Sequence, residues 1–216
     1  MIKKVALGMA ETKTARRVHE NVSLAHNQTL YFPNLLETQQ GVGDAEGFEQ
    51  LGARIGDEVI ACGLRFSLHF FNKLDRPNVT YRFIIFKYAT QVATHNPGLD
   101  DNWFWRGTDG AGGEMNRMID APNSERIRVV REFFVESTHD YTNANAEGKF
   151  AKEKSYLRHL YLPLNDAKIK YNMGNSKEPK FETYGMAVVA YDAFGTALSD
   201  VLATFAHTMT FSYKDP

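Results

Sequence analysis

Seven histidines, one cysteine and several scattered carboxylates are the side chains of this 216-residue chain whose types could do chemistry. His19, His26, His69, His95, His139, His159 and His207 form no His-x-His or His-x-x-x-His pair and no His-Glu-x-x-His element, the spacings that place two imidazoles on one metal. His69, His159 and His207 fall in different predicted strands and can converge only if folding brings them together. Against that, His69 shares the polar parity of its strand, as an ordinary surface histidine would. Cys62 lies in an apolar stretch without basic neighbours, which suits a small buried hydrophobe better than a reactive thiolate. Asp57 and Glu58 are adjacent, and adjacent strand residues point to opposite faces, so they cannot share a substrate. The glycine-rich run 107–113 lacks the Gly-Lys-Ser/Thr ending of a phosphate loop. Asp100, Asp101 and Asp109 miss the calcium-loop spacing, with Trp103 and Trp105 at ligand positions. No serine sits in a Gly-x-Ser-x-Gly elbow. The expectation is no enzyme, no cofactor and no metal, with calcium between subunits left open.

Two other groups carry physical meaning. Residues 1–17 hold Lys3, Lys4, Lys13, Arg16 and Arg17 against one acid, Glu11. This reads as a short basic arm, either merely solvated or neutralising phosphates. The chain as a whole has 25 basic and 26 acidic residues, a net charge of -1, which argues against nucleic-acid binding by the entire surface. Trp103, Phe104 and Trp105 stand together in a predicted loop. Three large aromatics are costly to leave in water. They either tuck over the end of their own domain or anchor a subunit interface, where such residues concentrate; they are the interface candidates.

The elements that must position these groups are strands. The clearest is 59–71, where Leu64, Phe66, Leu68 and Phe70 share one face and Arg65, Ser67 and His69 the other, the period of two of a half-buried antiparallel strand. Segment 79–89 is apolar on both faces, which predicts a position inside a sheet. Further strands are expected at 18–32, 126–136, 155–163 (stopped by Pro163), 167–173 (a short edge strand), 184–192 and 200–213. Residues 114–119 suggest one helical turn. Loops are expected at 33–53, 90–126 and 137–153. The first two break at Pro33, Gly41, Gly43, Gly47, Gly52 and Pro97, and loops this long are usually functional or packed on a neighbour. No repeat and no Pro/Gly linker divides the chain, so a basic arm at 1–17 and one domain at 18–216 are expected. A chain this long buries roughly 70% of its unfolded surface and needs no disulfide. No apolar run is long enough for a membrane helix, so no membrane insertion is expected. The glycosylation sequons at Asn21, Asn27 and Asn78 read as chance, and the expected compartment is intracellular or inside a particle. Seven or eight strands with uneven loops fit two packed sheets with Greek-key connections, an all-β eight-stranded jelly-roll sandwich. An immunoglobulin sandwich lacks its Cys…Trp…Cys signature here.

Arg54-Ile55-Gly56-Asp57-Glu58-Val59, leading into strand 59–71, and Tyr81-Arg82-Phe83-Ile84-Ile85-Phe86 resemble two short elements in capsid proteins of circular Rep-encoding single-stranded DNA viruses, the circovirus-like group. The final strand, followed at once by Lys214-Asp215-Pro216, is similar to the ending of such capsids. The resemblance implies a jelly-roll coat subunit, sixty copies of which close a small icosahedral shell around circular single-stranded DNA. It implies a virion location, with assembly in the host nucleus or cytoplasm. Members usually begin with a long Arg-rich arm. Here only Lys3, Lys4, Lys13, Arg16 and Arg17 stand in its place. On this reading the arm faces the genome, and the three loops make the outer surface and subunit contacts. Two alternatives remain. One is a ligand-binding jelly roll of lectin or cupin type, which needs a polar concave face or converging histidines. The other is the coat protein of a small RNA or satellite virus.

Overall fold

The computed structural model describes residues 11–41, 53–73, 75–76, 78–91, 99–107, 115–137, 155–172, 176–192 and 200–215. Among these residues eight strands follow one another: β1 (Thr12–Ala25), β2 (Thr29–Phe32), β3 (Glu58–Asn72), β4 (Val79–Ala89), β5 (Ile127–Ser137), β6 (Ser155–Lys170), β7 (Glu182–Asp192) and β8 (Val201–Lys214). A single turn of helix, α1 (Asp101–Phe104), precedes β5. The strands form two four-stranded antiparallel sheets, ordered β1-β8-β3-β6 and β2-β7-β4-β5. That order, with successive strands alternating between the sheets except at β4–β5 and the first strand lying beside the last, is the eight-stranded jelly roll.

The core follows from strand alternation. From β3 come Leu64, Phe66, Leu68 and Phe70, all fully buried, as the period of two predicts. They meet Phe205, Met209 and Phe211 of β8 in their own sheet, and Tyr81, Phe83 and Ile85 of β4 across the sandwich. Strand β4 is buried on both faces because its other side, Ile84, Phe86 and Tyr88, belongs to a second apolar cluster outside the β2-β7-β4-β5 sheet. Close approach is tight there: a Cβ at Gly185 would lie 2.5 Å from the Phe86 ring.

Several expectations are corrected. The strand expected at 18–32 is two strands in different sheets. The chain turns at Asn27, which adopts a left-handed backbone (φ 55°) that asparagine tolerates better than most residues. The inward set Val22, Leu24, Leu30 and Phe32 survives the break. Strand β1 begins at Thr12, so the boundary at 17/18 cuts through a strand. The two strands expected at 155–163 and 167–173 are one, β6. Pro163 does not stop it because β6 is an edge strand, where a missing N–H costs no ladder bond. Instead Pro163 sits opposite Gly63 at a bulge that takes up Leu164, Asn165 and Asp166, the last two with positive φ. Of the loop at 33–53, Leu35 and Leu36 are buried in the core rather than on an outer surface; residues 42–52 lie outside the described residues, as does the loop 137–153 from residue 138 onward. The turn expected near 114–119 is a hydrogen-bonded turn in which Ile119 and Asp120 donate to the Asn116 carbonyl.

Candidate nucleic-acid and assembly surfaces

The five basic residues expected to act together are dispersed. Lys3 and Lys4 lie outside the described residues. Lys13, Arg16 and Arg17 are residues of β1, so alternation sends them to different sides. Lys13 Nζ donates to Asp215 Oδ2 at 3.1 Å and to the Ala53 carbonyl. Arg17 Nη2 donates to Glu37 Oε2 at 2.6 Å. Both are neutralised by acids of their own chain. Arg16 alone stands exposed, with no ionic partner among the described residues.

The interface role expected of the aromatic triplet is also corrected. Asp100 caps α1 by accepting from the Trp103 N–H at 2.7 Å, and the turn carries the three rings back over the β2-β7-β4-β5 sheet. Phe104 and Trp105 are buried against Tyr31, Phe86 and each other, and Trp103 packs edge-on to Tyr88. Trp105 Nε1 donates to Thr29 Oγ1 at 2.9 Å. Two guanidiniums, from Arg82 and Arg117, lie 5.0 and 5.5 Å from the Trp105 ring. Arg82 pairs with Glu132 and donates to the carbonyls of Arg117 and Asp120. Arg117 pairs with Asp120 and Asp101, and Asp101 accepts from the Tyr31 hydroxyl at 2.7 Å. Burial, reinforced by the Asp101 charge, pushes the Tyr31 phenol far above its usual range. Each buried charge is paired, as the cost of burying a lone one requires. The triplet therefore seals its own sheet.

His69, His159 and His207 do not converge. His69 and His159 project from the outer face of the β1-β8-β3-β6 sheet, where His159 Nδ1 bonds Ser67 Oγ at 3.0 Å. His207 points inward, and no metal-binding group exists among the described residues. A cleft of about 430 Å³ opens between β1 and β2, lined by apolar residues together with Arg17, His19, Glu37 and His207. His207 stacks on His19 (centroids 4.9 Å apart) and meets Phe32 edge-on. It is 4% exposed, and its Nδ1 has no hydrogen-bond partner among the described residues. Burial, with His19 alongside, pulls the His207 pKa down to about 4.

Sequence reasoning missed the outer face of the β1-β8-β3-β6 sheet as a surface in its own right. Its register places Arg16, Thr210, Arg65 and Tyr161 side by side across all four strands. The only signal in the sequence was the polar parity of Arg65, Ser67 and His69; their neighbours come from strands far away along the chain.

No family model and no curated protein matches the chain. Solved structures similar to it include the empty head of turnip yellow mosaic virus (9% identity, 96% of this chain and 82% of that one, TM-score 0.34). Another is Desmodium yellow mottle tymovirus (11% identity, 96% and 89%, TM-score 0.30). A third is dimeric latent PorU from Porphyromonas gingivalis (8% identity, TM-score 0.34), of which the chain spans 95% of its own length but 13% of that protein. Likenesses at these scores carry no argument about function, and the jelly-roll assignment stands on the strand order itself.

Proposed function

We propose that this chain is a coat subunit that assembles with copies of itself into a closed icosahedral shell around a single-stranded genome, and that its role is structural and not catalytic. The observation that carries this reading is the side of the sandwich where β5 and β6 lie. The two edge strands are joined beneath by the ring series Tyr156–Phe70–Phe83–Phe133. Outside it, Val129, Val130, Phe134 and Leu157 are exposed, the last two by 52% and 60%. Long edge strands bearing apolar side chains are a liability to a solitary domain, and a closed shell covers them with further copies. The short resemblances at Arg54–Val59 and Tyr81–Phe86 support the circovirus-like version: sixty copies, single-stranded DNA and a virion location, with assembly in the host nucleus or cytoplasm. RNA is the alternative genome.

The cleft between β1 and β2 favours a second reading, a ligand-binding jelly roll of lectin or cupin type. Electron microscopy and size exclusion of purified protein, with absorbance at 260 and 280 nm, separate the two. The shell reading expects closed particles of uniform diameter; nucleic acid inside raises the 260/280 ratio. A small oligomer that never assembles across salt and pH overturns it.

A further inference from the structure

We infer that the outer face of the β1-β8-β3-β6 sheet is a binding face for single-stranded nucleic acid, with Arg16 and Arg65 as phosphate contacts and Tyr161 as a stacking platform for a base. The inference rests, for its biological setting, on the reading of the chain as a subunit that encloses a genome. Its physical basis is separate.

Three successive rows of side chains cross the sheet. In the middle row stand Arg16 of β1, Thr210 of β8, Arg65 of β3 and Tyr161 of β6. On one side of it lie Val18, Thr208, Ser67 and His159; on the other lie Thr14, Ser212 and Gly63. None of these positions is a carboxylate. Neither Arg16 nor Arg65 has an ionic partner among the described residues, and both are exposed. They are two strands apart, on the order of 10 Å from one backbone to the other, a gap that an extended single strand crosses in one or two phosphate steps. Between and beside them Thr210, Thr208, Ser67, Ser212 and Thr14 offer hydroxyl donors. Lys214, Lys168 and Lys170 extend the positive charge towards one end, where Glu58 pairs with the last two. The acids nearest the face stand at its ends, Glu20 at one, Glu58 and Asp166 at the other.

Tyr161 supplies what a plain cationic surface lacks. Its ring lies against the backbone of Gly63: a Cβ there would stand 2.5 Å from the phenol oxygen and 2.7 Å from two ring carbons. Glycine thus lets the ring lie down on the sheet, and half of the side chain remains open to solvent. A flat aromatic beside unpaired cations is the combination with which sequence-tolerant single-strand binders hold base and backbone together. Duplex DNA buries its bases and cannot use the ring. A sulfated polysaccharide uses the arginines alone.

The test is fluorescence anisotropy of a labelled oligothymidylate titrated with wild-type protein at a salt and pH where it stays dispersed, repeated over a salt series. Removing two phosphate contacts in R16A/R65A lowers the slope of log affinity against log salt by about 1.4. Tyr161→Ala weakens binding about tenfold or more, and Gly63→Ala, which lifts the ring, does so in part. R128Q/R131Q, which removes the same charge from β5 in the other sheet, leaves the affinity within about twofold of wild type. Circular dichroism of each variant confirms folding: the four arginines and Tyr161 are on the surface, and Gly63, which is buried, is the one position where the control decides whether the variant counts. Equal losses for both double variants, no effect of Tyr161→Ala, or equal binding of heparin and oligothymidylate overturn the inference and leave a general polyanion surface. Shells that form normally while the face fails to bind overturn this inference alone; binding on this face without shells overturns the coat reading alone.

Discussion

His207 is the residue whose chemistry the fold alters most usefully for an experiment. Its ring is enclosed by His19 from β1, Phe32 from β2 and Phe205 from its own strand, and the charged groups facing the same cleft are Arg17 and Glu37. With a folded pKa of about 4 against 6.5 for the free side chain, the unfolded chain binds the proton first as pH falls. Stability is therefore complete above about pH 6.5 and is lost progressively towards pH 4, by on the order of 3 kcal/mol from this group alone. Thermal melts at pH 7.0 and 4.5 should show this loss in the wild type and a clearly smaller one in His207→Leu. An equal drop in both proteins assigns the acid sensitivity elsewhere. Arg54 makes a contrasting case, since the element that carried the sequence resemblance has a folding role. Its guanidinium is fully buried over the Tyr171 ring and donates to the carbonyls of Gly56 and Ser176, joining the start of β3 to the segment before β7.

Among the elements, the described parts of the stretch before β5, residues 99–107 and 115–123, do the work of an extra layer. Without it, Ile84, Phe86, Tyr88, Ala187 and Val189 would leave one face of a sheet apolar and wet. Trp105→Ala removes the side chain that both guanidiniums cover, and truncation of so large a buried aromatic costs about 3–5 kcal/mol. Denaturant melts should register that loss. Increased binding of a hydrophobic dye to the folded variant would show the uncovered face; unchanged stability would mean the segment is not a structural layer. Elements of this kind were unequally legible in the sequence. Strands β3 and β4 announced themselves because alternation and double-sided apolarity are local patterns. The division of β1 from β2 did not, because the turn rests on a positive φ at Asn27, with no glycine or proline to mark it. Pro163 misled for the opposite reason: it breaks a central strand but is harmless at an edge, and only the sheet order tells the two apart. The basic residues of β1 read as one arm because their charges are neighbours in sequence, while a strand sends neighbours to opposite faces.

Across the whole molecule, most pairings join residues distant in sequence. β1 pairs with β8, and β3 pairs with β6 and β8. Such contacts repay their loop-closure entropy late, so refolding is expected on the millisecond-to-second scale or slower. Trp103 and Trp105, the two tryptophans of the chain, give stopped-flow fluorescence a direct signal for closure of the outer layer. Refolding within microseconds would contradict the expectation. The pairing of first strand with last has a mechanical side as well. Thr12 lies opposite Lys214, and Lys13 is tied to Asp215, so the two ends of the sandwich leave from one corner. A force drawing them apart loads the β1–β8 ladder one hydrogen bond at a time, like a zip, rather than all at once in shear. Pulled by its ends, this domain yields at low force and peels from that corner inward; held by its loops, the same ladder resists as a unit.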